Sequence, residues 1–278
     1  MKTLIRSLTL TVLLGMGVLT AEALSIVVAP TAVYLEHSTR SATVTLFNPG
    51  TTPEEVTIST LFGYPTTDED GRLHLFTDEA GDDPRSAAGW LRAYPQRVVV
   101  GPGERQVVRL LGEPPADLPD GEYWARLAIT SGAESTQVGT VPGESDVRVG
   151  LDMRVRTVIA ANYRKGSITT GLEIEDFQPW IEDGRLRLRP RLLRQGSAAY
   201  ISALTLTLTD PNGEVVREWQ EQVAVYREYH RLFEYDVSDL GPGPFRLRAQ
   251  FSTDRDDVPA AFRLRTTPIE REAPVSLR

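Results

Sequence analysis

The sequence has no cysteine among its 278 residues and only three histidines, which lie far apart. Without cysteine there are no disulfides and no thiolate metal ligands, so the stability of the fold must come from core burial. The histidines form no His-x-x-x-His or His-Glu-x-x-His pattern, and no zinc or other metal site is predicted. Nucleophile elbows, phosphate loops and dinucleotide fingerprints are also missing, so we expect neither an enzyme nor a cofactor.

Positive charge is scarce as well. There are 30 Lys and Arg residues against 38 Asp and Glu residues, which gives a formal net charge of −8. An acidic chain is a poor partner for nucleic acids and anionic membranes, because both attract basic surfaces. The acidic residues 66–85 are predicted to form a loop. Its run Asp-Glu-Asp-Gly at residues 68–71 resembles the start of a calcium-binding loop, but the glycine, Gly71, is at position four, whereas the EF-hand loop has it at position six. The loop therefore fails the EF-hand template, although a looser calcium site stays open.

Long apolar runs are absent beyond the beginning of the chain. Lys2 and Arg6 precede an apolar run at residues 8–19 that is too short to span a bilayer, and an Ala-x-Ala cleavage pattern follows at residues 21–23. We predict that residues 1–23 are a signal peptide, with an uncleaved anchor as the alternative. The remaining chain would be exported and would not span a membrane.

What is present is a β pattern. Apolar residues alternate with polar ones in several short runs, for example at residues 44–46, 204–208 and 223–225. Period-two alternation between turn residues predicts half-buried antiparallel strands. The turn Asp-Pro-Asn-Gly at residues 210–213 predicts a hairpin, since Asn-Gly tolerates positive φ. No window predicts a long amphipathic helix.

One internal repeat predicts two similar domains. The pattern Leu-x-x-Gly-x-aromatic-x-x-Arg occurs at residues 118–126 and again at residues 240–248. A turn leading into a strand that opens with an aromatic residue is typical of one corner of immunoglobulin-like sandwiches. The sequence therefore predicts an all-β chain of two tandem immunoglobulin-like β-sandwich domains, at residues 24–163 and 164–278.

Several motifs in a fixed order resemble one family. They are Ala-Val-Tyr at residues 32–34, the strand and turn at residues 42–50, Pro95 and Arg97, Pro-Gly at residues 102–103, Val-Arg-Leu at residues 108–110, Leu-Pro-x-x-Glu-x-Trp at residues 118–124, and Tyr163-Arg164. This series resembles the periplasmic pilus-assembly (PapD-like) chaperones. The resemblance implies a periplasmic, non-enzymatic protein whose partners are secreted, pilin-like subunits.

The resemblance also implies a mode of binding. In that family the last strand of the first domain lends alternating apolar side chains to a subunit that lacks a strand. The matching side chains here are Val147, Val149, Leu151, Met153 and Val155. They follow residues 131–146, a loop rich in Gly, Ser and Thr. The alternative is structural, since any sandwich strand with one buried face has the same alternation.

The chain departs from the family at the carboxylate anchor. Two cations hold the subunit's terminal carboxylate in the family, as expected for an anion site. Their positions are occupied here by Thr31 and Ala160. Arg154, Arg156 and Lys165 are the nearby candidates to replace them.

A second family feature is a salt-bridge network that joins the two domains. Glu122 and Arg164 match its first two members, and Asp254 or Asp256 is the expected third. We therefore predict that Glu122 and Arg164 meet between the domains and set the angle between them. The alternative is that both are ordinary surface charges.

Three classes of function remain at this point. The first is a periplasmic chaperone that assists assembly of fimbrial or other surface subunits by β-strand addition. The second is a non-enzymatic structural or adhesive module of a cell-envelope complex with envelope proteins as partners, which the missing cations favour. A carbohydrate-processing enzyme is third, because no catalytic pattern is visible and the four tryptophans are expected in the cores.

Overall fold

The computed structural model describes residues 26–78, 82–133, 153–241 and 243–277. Within these residues the chain is built of β-strands, with a single 3-10 turn at Ala260–Phe262. This confirms the predicted all-β class. The predicted signal peptide and the side chains of Val147, Val149 and Leu151 lie outside the described residues. Among those that are described, no helix is long and apolar enough to cross a membrane.

The first part of the chain forms two sheets. Its strands are β1 (Val27–Ala29), β2 (Ala32–Glu36), β3 (Ser41–Phe47), β4 (Glu54–Thr67), β5 (Leu73–Asp78), β6 (Leu91–Tyr94), β7 (Arg97–Val100), β8 (Arg105–Gly112), β9 (Gly121–Ala133) and β10 (Arg154–Lys165). One sheet has the order β1-β3-β8-β6. The other has the order β2-β10-β9-β4-β5, and β7 pairs with the beginning of β4.

The second part of the chain forms three sheets of three or four strands. Its strands are β11 (Thr170–Glu175), β12 (Trp180–Glu182), β13 (Arg185–Leu188), β14 (Arg191–Gly196), β15 (Tyr200–Thr209), β16 (Val215–Val225), β17 (Glu228–Tyr229), β18 (Phe233–Asp236), β19 (Arg246–Ser252), β20 (Ile269–Pro274) and β21 (Ser276–Leu277). The sheet orders are β11-β14-β17, β18-β13-β12-β21 and β16-β15-β19-β20.

Each part encloses its own hydrophobic core, as two tandem sandwiches require. The predicted alternation places Val44 and Leu46 of β3 in the first core and Leu204 and Leu206 of β15 in the second. At the corner that precedes β9, the Tyr123 hydroxyl donates a hydrogen bond of 2.8 Å to the Pro119 carbonyl. This bond fixes the aromatic residue against its turn, as the repeat predicts for an immunoglobulin-like corner.

The acidic residues 66–85 are not one long loop. Strand β4 continues to Thr67, and β5 returns beside it with Tyr64 opposite Phe76. We call this hairpin, residues 62–78, the arm. Neighbouring apolar residues in β5 break the period-two pattern, which is why the sequence did not predict this strand. The beginning of the predicted loop at residues 131–146 likewise belongs to β9.

Candidate functional site

Strand β10 has one edge that is only partly covered. Along its full length it pairs with β9 on one side. On the other side β2 runs parallel to it and pairs only with Ala160–Arg164. Within the described residues, no strand pairs with this side of Arg154–Ile159. Unpaired backbone groups on such an edge are a template for an added strand.

The two faces of β10 differ in character. Ile159, Ala161 and Tyr163 point into the first core. Because side chains alternate along a strand, Val155 and Met153 lie on this same face. Val155 is half-buried and Met153 is 52% exposed, so the apolar face continues along the open edge beyond the core. These are the two predicted partner-binding residues that the structure describes.

The two positions that carry cations in the family are brought together. The Ala160 amide donates a hydrogen bond of 3.4 Å to the Thr31 carbonyl, where β2 begins to pair with β10. Neither side chain can hold an anion by charge. A cation at this place must therefore come from another element.

A cation that β9 brings to this place is Arg126. In the β9–β10 pairing it stands directly opposite Ala160. Its side chain is only 7% exposed, its Nε donates a 3.0 Å hydrogen bond to the Gly63 carbonyl, and its guanidinium carbon lies 4.9 Å from the centre of the Tyr226 ring. Among the described residues no carboxylate forms an ion pair with it. A buried, uncompensated cation is costly, and an anion placed beside it would remove that cost.

Arg126 lines a cavity of about 220 Å³ between the two sandwiches. The other lining residues are Ala32, Tyr34, Pro65, Leu75, Ala160, Asn162, Ile201, Ala224, Tyr226, Arg255, Asp257 and Val258. Arg255 is already neutralised, because both its Nε and its Nη2 donate to the Asp257 carboxylate. The cavity thus combines apolar walls with one cation that has no carboxylate partner among the described residues.

The replacements proposed from sequence do not line this cavity. Arg154 and Arg156 are exposed on β10, and the Lys165 ammonium donates to the Leu118 carbonyl. Arg126 could not be identified from the sequence as the replacement, since it is brought to Ala160 only by the register of two strands. The one sequence signal at Arg126 was its position as the last residue of the repeated motif at residues 118–126.

Glu122 and Arg164 meet between the sandwiches. The Arg164 Nε lies 2.7 Å from Glu122 Oε2, and both side chains are buried. The other oxygen, Glu122 Oε1, accepts hydrogen bonds of 3.0 Å from the Ala199 amide and from the Trp124 indole. Arg164 Nη1 donates a 2.6 Å bond to the Phe262 carbonyl. The pair therefore has bonds to both sandwiches, while its effect on the domain angle remains a prediction.

The expected third member of this network is elsewhere. Asp254 forms an ion pair of 2.9 Å with Arg263, and Asp256 lies 3.2 Å from the same guanidinium. Among the described residues the carboxylate that pairs with Arg164 is Glu122, and the Arg164 Nη1 donates to the Phe262 carbonyl. The prediction that Asp254 or Asp256 completes the network with Arg164 is wrong.

Aromatic residues fill the rest of the contact between the sandwiches. The rings of Trp124 and Tyr226 meet edge to face at 5.0 Å, and the Tyr226 hydroxyl lies 3.3 Å from Asn162 Oδ1. Tyr34 stacks on Phe262 at 5.2 Å. Burial, aided by the nearby Tyr226, raises the pKa of Tyr34 to about 12. These contacts hold the cavity walls in place.

The tip of the arm also bridges the two sandwiches. The Leu232 amide donates a 2.9 Å hydrogen bond to the Gly71 carbonyl, and the His230 amide donates a 3.0 Å bond to the Thr67 hydroxyl. Arg189 Nη2 donates to the Glu69 carbonyl at 2.5 Å. The arm thus reaches from the first sandwich to the second along one side of the cavity.

The Asp68 and Asp70 carboxylates at the tip of the arm form contacts within the tip itself. Asp68 Oδ1 accepts the Asp70 and Arg72 amides at 3.0 and 2.8 Å, and Asp70 pairs with Arg72 at 2.9 Å. Among the described residues no group of three or more His, Asp or Glu side chains has metal-binding geometry. The looser calcium site that the sequence left open has no observation behind it among the described residues.

Comparison with known proteins gives similarity in structure alone. No family model matches the chain, and no curated protein matches it in sequence. Solved structures do match. The chain resembles chaperones of fimbrial assembly.

Three of these structures illustrate the likeness. The YadV chaperone is 16% identical, with 90% of this chain and 98% of that chain covered and a TM-score of 0.46. The structure of the Salmonella enterica SafA pilin in complex with the SafB chaperone is 14% identical, with 89% of this chain and 96% of that chain covered and a TM-score of 0.44. The E. coli chaperone DraB is 16% identical, with 81% of this chain and 89% of that chain covered and a TM-score of 0.42. At such TM-scores the function has to be argued from the residues of the chain itself.

Proposed function

We propose that this protein is an exported, periplasmic chaperone that holds an extended segment of a secreted subunit by β-strand addition. The segment pairs with the open edge of β10, and its apolar side chains lie beside Met153 and Val155. Its terminal carboxylate enters the cavity and pairs with Arg126. Binding of this kind combines backbone hydrogen bonds for affinity with alternating side-chain contacts for specificity.

The observation that carries the proposal is the open edge of β10. It runs from Arg154 to Ile159 and ends at Ala160, which lines the cavity. A strand added along this edge would therefore lead directly to the cavity. One face of this edge is apolar and continues the core, while the exposed Arg154 and Arg156 lie on the other face.

The buried Arg126 supports the second half of the proposal. A carboxylate forms strong charge-assisted hydrogen bonds with a guanidinium, and it forms them best away from water. Arg126 is held by the Gly63 carbonyl and the Tyr226 ring, so its position is fixed before any partner binds. The loss of cations at Thr31 and Ala160 is thus compensated from the neighbouring strand.

Binding of a labelled peptide tests the edge. The probe is a fluorescent synthetic peptide of alternating apolar and polar residues with a free carboxyl end, measured by fluorescence anisotropy. Met153→Asp and Val155→Asp place a charge in the apolar row and should weaken binding at least about tenfold. The matched control is Val107→Asp, an equally exposed valine of β8 in the other sheet. Equal affinity of all four proteins would reject strand addition at β10 and would favour a structural module.

A further inference from the structure

Strand β5 is an exposed edge at the opposite side of the same sheet. It pairs only with β4, and no other described strand covers its second edge. All of its residues except Asp78 are exposed, including Leu73 at 51%, Leu75 at 39% and Phe76 at 39%. Soluble proteins seldom leave a strand with exposed apolar side chains open along its edge.

The edge strand β20 of the second sandwich is protected against pairing, and β5 is not. Strand β20 is an edge of its sheet and carries Glu270, Arg271, Glu272 and Pro274, which discourage pairing. Strand β5 contains no lysine, no arginine, no proline and no register shift against β4. Its sequence, Leu-His-Leu-Phe-Thr-Asp, is instead suited to pairing with a further strand.

We propose that β5 pairs antiparallel with β5 of a second copy of this chain, about a two-fold axis at Phe76. In this register Phe76 faces its own copy and Leu75 faces Thr77. His74 faces Asp78 of the other copy, and this contact occurs twice. An imidazole N–H opposite a carboxylate is a complementary pair, whereas a register centred on Leu75 would place His74 opposite Phe76.

Self-complementarity is the reason to assign this edge to a second copy. A two-fold contact uses the same patch on both partners, so each favourable pair is counted twice. Pairing would join the two six-stranded sheets into one and remove both open edges. It would also cover Leu75 and Phe76 on each copy, which are otherwise in contact with water.

The strand is already fixed in the conformation that pairing needs. Phe76 packs on Tyr64 at 5.2 Å and on Phe62 at 6.4 Å. The tip of the arm is hydrogen-bonded to the second sandwich through Thr67 and Gly71. Pre-organisation of this kind lowers the entropy cost of association.

Sedimentation velocity over a concentration series tests the proposal on the full exported chain. Wild-type protein should shift from monomer to dimer as concentration rises. Phe76→Lys places two ammonium groups opposite each other and should weaken dimerisation at least about tenfold. The control is Val215→Lys, which changes an exposed valine of β16 and should dimerise as the wild type does.

Single cysteines test the register, because the chain has no cysteine of its own. Paired Cα atoms in an antiparallel ladder are about 4.5–5.5 Å apart, within reach of a disulfide. Phe76→Cys should therefore cross-link under mild oxidation. Leu73→Cys should not, since its two copies would be about 20 Å apart at about 3.4 Å per residue.

Three results would overturn the proposal: a monomer at all concentrations, a dimer that Phe76→Lys leaves unchanged, or equal cross-linking of the two cysteine variants. The residues replaced in these tests, Leu73 and Phe76, do not line the cavity beside β10, although their neighbour Leu75 does. The two edges lie on opposite sides of the sheet and can be tested separately.

Discussion

Glu122 and Arg164 form an ion pair of 2.7 Å that is closed to solvent and bonded to the second sandwich at both ends. The carboxylate accepts the Ala199 amide, and the guanidinium donates to the Phe262 carbonyl. A buried pair of this kind adds little net stability by itself, but removal of one partner leaves an unpaired charge. Separation of the two sandwiches would therefore remove the bonds of this pair to Ala199 and Phe262.

The first prediction concerns this pair. Glu122→Ala leaves the Arg164 guanidinium and the Ala199 amide without their partner, and should lower the free energy of unfolding by about 3–5 kcal/mol. The measurement is urea denaturation followed by tryptophan fluorescence. Glu270→Ala is the control, because its pair with Arg248 is half-exposed and screened by water, so its loss should change stability far less. A similar small loss for both variants would show that the buried pair does not couple the sandwiches.

The second prediction separates the ring of Tyr226 from its hydroxyl. Tyr226→Phe removes only the 3.3 Å contact with Asn162 and should cost about 1 kcal/mol. Tyr226→Ala also removes the ring that contacts Trp124 and Arg126, and should cost about 3–5 kcal/mol. Thermal and urea unfolding of the two variants measures the difference. Equal losses would contradict a packing role for the ring.

The third prediction concerns stability at high pH. The tyrosines of an unfolded chain lose their protons near pH 10, whereas burial raises the pKa of Tyr34 to about 12. Between these values the folded state binds more protons than the unfolded state, so stability falls as the pH rises. The urea midpoint should decrease from about pH 10 to about pH 12, and less steeply in Tyr34→Phe. An identical slope in the variant would show that Tyr34 titrates normally.

The fourth prediction concerns the arm. A Cβ at Gly63 would lie 2.5 Å from the Phe76 carbonyl oxygen, so Gly63→Ala must push β5 away from β4. We expect faster hydrogen exchange of the β5 amides in this variant, measured by mass spectrometry. Exchange in β15 serves as the internal reference, because that strand belongs to the second sandwich. Unchanged exchange in β5 would mean that the two strands tolerate the methyl group.

The parts of the fold that could be predicted are those with a local signal. The alternation at Val44 and Leu46 predicted β3, and the turn at residues 210–213 is present with a 3.0 Å bond from the Gly213 amide to the Asp210 carbonyl. Both depend on neighbouring residues alone, so the sequence contains what is needed to find them. Strand β5 lacks such a signal, since Leu75 and Phe76 are adjacent and face opposite sides.

The candidate site was harder to predict because it depends on register. The motif resemblance led to Glu122, Arg164 and the neighbouring positions Thr31 and Ala160. Arg126, the cation that we propose in their place, is 34 positions from Ala160 in the chain and reaches it only through the β9–β10 ladder. The prediction for Asp254 also failed because it depends on the three-dimensional arrangement. Asp254 pairs with the nearby Arg263, whereas the motif assigned it to Arg164.

The measurement that tests the account most directly compares two probe peptides that differ only at the carboxyl end. One ends in a free carboxylate and the other in an amide. Wild-type protein should bind the free acid at least about tenfold more tightly. Arg126→Gln should lose this preference while Arg248→Gln, which changes an exposed arginine of β19, retains it. Equal binding of acid and amide by the wild type would contradict the role of Arg126 in the cavity.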